Sequence, residues 1–153
     1  MDIYAMPGHL IRRLNQISVA LFAERMARAG LTLTPVQYAA LCGIRAYPGI
    51  DQAGLAGLVA YDRATLGKVI DRLETRALVS RGMSPSDRRA KTLTLSEAGQ
   101  VLLEAAGPHV RALQPDILGG LDAADQEMFL SLLGKITLAG NERSRAPLKP
   151  LAD

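Results

Sequence analysis

The sequence predicts a mainly α-helical fold carrying one small β-hairpin, and three observations predict it. Apolar residues recur at three- and four-residue steps through most of the chain, the period of a helix with one buried face. Helix-starting residues stand ahead of these stretches, at Thr34-Pro35, Asp62, Ser96 and Asp122. Extended character is confined to residues 78–95, where two short runs flank a polar, turn-rich loop.

The elements follow in order. Residues 9–29 read as a long helix: Leu10, Leu14, Ile17 and Leu21 form its stripe, and Gly30 ends it. Thr34 caps a second helix with Pro35 at its first position, and this helix stops before Pro48-Gly49. A short third helix spans about 51–59 and buries Leu55 and Leu58. Asp62 caps a fourth, to about Arg76, with Leu66, Val69, Ile70 and Leu73 inward. Residues 78–81 and 92–95 are the strands of the hairpin. Ser96 opens a fifth helix to about Gly119, interrupted near Gly107-Pro108, and Asp122 caps a sixth. The tail 141–153, with Pro147 and Pro150, is expected to be flexible.

Composition narrows the function classes. The chain has 153 residues, enough for one well-buried core, and 48% of them are hydrophobic, which argues against disorder. No apolar run approaches the roughly 20 residues that span a bilayer. His9, Arg12 and Arg13 interrupt the stretch where a secretory signal would lie, so a cytoplasmic location is expected. A single cysteine, Cys42, forms no internal disulfide. The two histidines are a hundred residues apart, and no phosphate loop or metal-ligand spacing occurs. Asp122, Asp125 and Glu127 suit the positive end of a helix better than they suit catalysis. An enzyme is therefore not expected, nor a metal or cofactor.

Charge locates the functional surface. Residues 61–92 carry eight basic side chains against four acidic ones, whereas the other 121 hold ten basic and eleven acidic. The excess positive charge is concentrated in one fifth of the chain, which suggests a polyanion partner. On the fourth helix Thr65, Lys68, Arg72 and Thr75 share one face opposite the apolar stripe, with Arg63 in the first turn. Such a helix packs on its own lobe and offers donors to a DNA major groove. Arg63, Thr65 and Lys68 suit bases or nearby phosphates, and Arg72 suits the backbone. The hairpin loop ends in Asp87-Arg88-Arg89; an arginine there suits a narrow minor groove, and Asp87 serves as an internal anchor. Arg63, Thr65, Lys68, Arg72, Arg81, Arg88 and Arg89 are the expected DNA contacts. Three helices, a recognition-type helix and a hairpin make a winged helix-turn-helix, flanked by a helical layer.

These segments resemble the MarR (multiple antibiotic resistance) family. The resemblance rests on residues 62–79 and 87–99, on the wing pattern Asp87, Arg89, Leu93, Leu95 and Ser96, and on Leu33-Thr34 with Gln37 and Leu41. It extends over about residues 9–140. Two positions depart from the family pattern: Gly67 stands where Ser or Thr is usual, and Ala77 where the fourth helix usually ends in glycine. A left-handed alanine there is strained by about 1 kcal/mol. The resemblance implies a single domain, 1–153, with a DNA-binding lobe at 31–95 and dimerisation helices at 9–30 and 96–140. It also implies a two-fold homodimer, typically a repressor, on a palindrome with half-sites about 10 base pairs apart. The sequence agrees, because Ile117, Leu118, Leu121, Phe129, Leu132 and Leu133 are more apolar surface than two terminal helices of a monomer need.

The family usually responds to small aromatic anions or to oxidation. His9 and Arg13 lie one turn apart and suit a carboxylate, with Tyr38 or Tyr4 lining the cavity. Residues 1–15 are similar to the branch controlling nicotinic acid breakdown, which implies a hydroxylated nicotinic acid as effector. Redox sensing through Cys42 is the alternative, although this cysteine falls on an inner helix face with no basic neighbour in sequence, as core filler would. A winged helix that binds protein rather than DNA is a further alternative, and the retained Lys68 and Arg72 speak against it.

Overall fold

A computed structural model of the chain describes residues 2–83 and 91–151. The expected wing-tip residues Asp87, Arg88 and Arg89 lie outside the described residues. The elements are α1 (Pro7–Arg28), α2 (Pro35–Ala46), β1 (Ile50–Asp51), α3 (Gln52–Leu58), α4 (Arg63–Thr75), β2 (Val79–Met83), β3 (Lys91–Leu95), α5 (Glu97–Ile117) and α6 (Ala123–Ala139). Single 3-10 turns at Ile3–Ala5 and Asn141–Arg143 flank them.

Side chains set the helix starts. Thr34, Asp51, Asp62, Ser96 and Asp122 each accept a hydrogen bond from the backbone N–H three residues on, at 2.6–3.3 Å. Each cap contributes about 1 kcal/mol by satisfying a donor that the helix leaves unpaired. Gln37 returns the bond to the Thr34 backbone at 3.0 Å, closing a capping box. Three helices end in left-handed residues, Gly30, Ala60 and Ala77. In each the next N–H reaches back five residues: Leu31 to Met26, Tyr61 to Ala56 and Leu78 to Leu73, at 2.9–3.0 Å. The strain expected at Ala77 is present (φ 56°), and Ala60 (φ 53°) repeats it.

The sheet has three antiparallel strands in the order β1-β3-β2, with Ile50 opposite Leu93 and Val79 opposite Leu95. The two-residue β1 was not expected, because its pairing is long-range and leaves no local periodicity. It anchors α3 to the hairpin. One core joins all of this: Phe22 and Met26 from α1, Leu41 and Ile44 from α2, Leu55, Leu66, Ile70, Leu73, Leu93 and Leu103 are buried together. Burial of each such side chain is worth about 1.5–3 kcal/mol.

One expectation needs correction. Helix α5 runs unbroken through Gly107-Pro108, with Pro108 and Pro115 inside it. Packing of α5 along α1, with Leu103, Ala106, Gly107 and Leu113 buried, offsets the lost backbone bond. The tail, expected to be flexible, packs back on α3 and the core as far as Leu151. Lys149 donates its N–H to the Gly57 carbonyl at 2.9 Å, and Leu151 packs against the core.

Candidate nucleic-acid interface

The sequence of α4 divides it into two faces, and the fold respects the division. Leu66, Val69, Ile70 and Leu73 are buried against α2 and α3, while Arg63, Thr65, Lys68, Arg72 and Thr75 are exposed. Arg63, Lys68 and Arg72 form no ion pair among the described residues. Asp62 accepts from the Thr65 N–H at 2.8 Å, and its hydrogen bonds with Thr65 hold its carboxyl below the ordinary value. The cap therefore stays ionised where the helix dipole favours an anion. Gly67 sits half-buried beside Gln52 of α3; a Cβ there would lie 3.0 Å from the Gln52 Nε2. Gln52 thus lies over the position where family members usually carry a hydroxyl, a contact between helices with no local sequence signal.

The hairpin is fixed to α4 from two sides. Ser96 donates its hydroxyl to the Ala77 carbonyl at 2.6 Å and its N–H to the Leu78 carbonyl at 3.1 Å. Gly99, one turn into α5, lies so near this backbone that a Cβ would stand 2.1 Å from the Leu78 oxygen. On the other side Arg81 of β2 donates to Asp71 at 2.6 Å and to Glu74, both on α4. Burial opposes the charge of Arg81, but the two carboxylates outweigh it and raise its pKa above the ordinary arginine value. Arg81, expected as a DNA contact, thus has its guanidinium engaged by two carboxylates of the protein. The residue joins the hairpin to the helix, whereas Arg63, Lys68 and Arg72 face outward.

A second feature lies in the helical layer. No residue of α6 is buried, although Met128, Leu130, Leu132, Ile136 and Leu138 lie on several of its faces. Between α6, the N-terminal half of α1 and the end of α5 runs an apolar groove of about 1050 Å³, lined by Leu10, Leu14, Ile117, Leu118, Phe129 and Leu133 among others.

The expected ligand residues fall into two groups. Tyr4 meets His9 edge-on, with ring centroids 5.7 Å apart, and the His9 Nε2 is buried without a hydrogen-bond partner. Arg13, one turn further on, is exposed. Tyr38 packs instead on Phe22, at 6.3 Å between centroids. Thirteen residues of helix separate Phe22 from His9, about 20 Å at 1.5 Å per residue. The chain therefore does not bring Tyr38 to His9. Burial first, then the neighbouring Cys42, raises the Tyr38 phenol above its ordinary pKa. Cys42 is half-buried against the core, the position of a filler residue.

Comparison with known proteins places this arrangement. The MarR family model matches residues 33–91. The HTH-type transcriptional repressor NicR of Pseudomonas putida is 33% identical over 135 residues, covering 88% of this chain and 84% of NicR. The chain belongs to the MarR family. Among solved MarR-like structures, Bordetella bronchiseptica BpsR, described for regulation of its DNA binding by 6-hydroxynicotinic acid, is 31% identical. Its TM-score is 0.83, over 90% of this chain and 96% of BpsR. A cysteine-to-serine variant of Escherichia coli MarR complexed with operator DNA is 26% identical with a TM-score of 0.80, over 89% of this chain and 99% of that one.

Within the MarR frame, the cationic face of α4 was legible from residue spacing. Gln52, the Arg81 clamp and the carboxylate pair Asp71 and Glu74 were not. Arg81 looked like any other cation of the basic stretch, and its partners lie seven and ten residues away on another element. Among the described residues, no helix is long and apolar enough to cross a membrane, and no cluster of metal-ligating side chains occurs.

Proposed function

We propose that the chain acts as a homodimeric, DNA-binding transcriptional repressor of the MarR type, released from its operator by a small aromatic acid such as 6-hydroxynicotinate. The observation that carries the reading is the exposed row of Arg63, Lys68 and Arg72, without ion pairs among the described residues, on a helix whose opposite face is locked into the core. Such a helix is rigid enough to read a groove and cationic enough to hold phosphates. The apolar groove and the uncovered α6 support a second copy as partner, since a helix with apolar residues on several faces calls for burial. Two copies related by a two-fold axis would set their α4 helices in successive major grooves, about 10 base pairs apart. NicR is a transcriptional repressor, and the DNA binding of BpsR is regulated by 6-hydroxynicotinic acid, which supports a regulator rather than an enzyme.

The unpartnered His9 Nε2, the Tyr4 ring and the Arg13 guanidinium one turn away suit a carboxylated aromatic ring. A pocket that also uses Tyr38 would take it from the other protomer, given the separation along α1. Footprinting the dimer on the DNA flanking its own gene tests the reading. Two-fold-symmetric protection is expected, lost on adding 6-hydroxynicotinate and retained with the acid in His9→Ala or Arg13→Ala. Binding that stays flat between low and high salt would sink the proposal, because phosphate contacts release counterions.

A further inference from the structure

The C-terminal segment 141–151 returns from α6 to the DNA-reading lobe and is held there by several independent contacts. The Asn141 side chain bonds the Leu148 backbone in both directions, accepting at 2.8 Å and donating at 3.1 Å, which closes the intervening loop. The Lys149 N–H then bonds the Gly57 carbonyl of α3, and Leu151 packs on the core. A Cβ on Gly57 would lie 3.0 Å from the Lys149 Cβ, so glycine lets the segment settle on the first helix of the helix-turn-helix. Arg143, Arg145 and Lys149 are exposed and form no ion pair among the described residues, and Glu142 is the one acid of the segment. Arg145 lies near enough to α4 for its charge to act on the cap Asp62.

We propose that residues 141–151 form a pre-docked basic arm that adds contacts to the DNA phosphate backbone beside the α3–α4 turn. In helix-turn-helix proteins the first helix of the motif crosses the backbone, so cations pinned to α3 sit where phosphates pass. Docking in the free protein removes the ordering cost that a loose tail would meet on binding. The inference rests on the DNA-binding reading above.

The test compares wild type, Arg143→Gln/Arg145→Gln/Lys149→Gln and Gly57→Val by fluorescence anisotropy on a labelled mixed-sequence duplex of about 30 base pairs. Salt is varied, and thermal melts run in parallel. Each phosphate contact contributes about 0.9 to the slope of log K against log salt. The triple variant is expected to melt like wild type, with a slope shallower by at least about 1.8, one phosphate per arm in a dimer. Gly57→Val should show the same slope change by displacing the arm. Equal slopes for wild type and triple variant overturn the arm. A Gly57→Val protein that loses stability but not slope leaves the arm a brace only, which also overturns it. Wild type that fails to bind duplex DNA at low salt overturns the DNA-binding reading itself.

Discussion

Replacing Arg81 by methionine keeps the aliphatic stem and removes the guanidinium that ties β2 to α4. Arg81 is 16% exposed, but its partners Asp71 and Glu74 are 66% and 41% exposed. Both carboxylates can rehydrate once the cation is gone, so the loss falls well short of the 3–5 kcal/mol typical of a broken buried pair. Two charge-assisted bonds to wet partners are worth up to about 1 kcal/mol each, and the sheltered guanidinium places the pair toward the upper end. The expected cost is about 1–2 kcal/mol. At roughly 2–4 °C per kcal/mol for a chain of this length, the melting temperature should fall by roughly 2–8 °C, with protein concentration held fixed. The same variant, titrated with duplex DNA across a salt series, should keep the wild-type slope, because Arg81 is not offered to phosphate. Asp71→Asn/Glu74→Gln/Arg81→Met, which discards all three charges, should melt close to Arg81→Met, because carboxylates that rehydrate leave little penalty to relieve. An unchanged melting temperature together with a slope shallower by about 1.8 would refute the clamp and restore Arg81 as a DNA contact.

Two further substitutions probe how α4, the hairpin and α5 are joined. Gly99→Ala should destabilise by at least about 2 kcal/mol in urea titrations, since its Cβ would overlap the Leu78 carbonyl and backbone must move; a midpoint within error of wild type would contradict the observed approach. Ala77→Gly relieves a left-handed alanine at a cost in unfolded-chain entropy, and a net gain of up to about 1 kcal/mol is expected; destabilisation would show that the turn carries no strain.

The legible parts of this protein are those with a local cause. Caps at Thr34, Asp62, Ser96 and Asp122, and the stripe of α4, could be read because a capping side chain reaches three residues and a helix face repeats every three or four. The outward row of Arg63, Thr65, Lys68 and Arg72 followed from the same period. Reading failed where contacts cross the chain. Pro108 signalled a break that packing on α1 overrides, and nothing local signalled the contacts that the tail makes with Gly57 and Asn141.

Sequence by itself determined the helices, the hairpin, the cationic face of the recognition-type helix and the surplus apolar surface of α6, because each is a periodic or charge pattern written along one segment. Only the tertiary structure decided which cations are available. It occupies Arg81 with Asp71 and Glu74, leaves Lys68 and Arg72 without an ion pair among the described residues, separates Tyr38 from His9 and lays the tail on α3. The physical reason is that a charge is defined by its neighbours in space, and those neighbours are chosen by packing between elements distant in sequence.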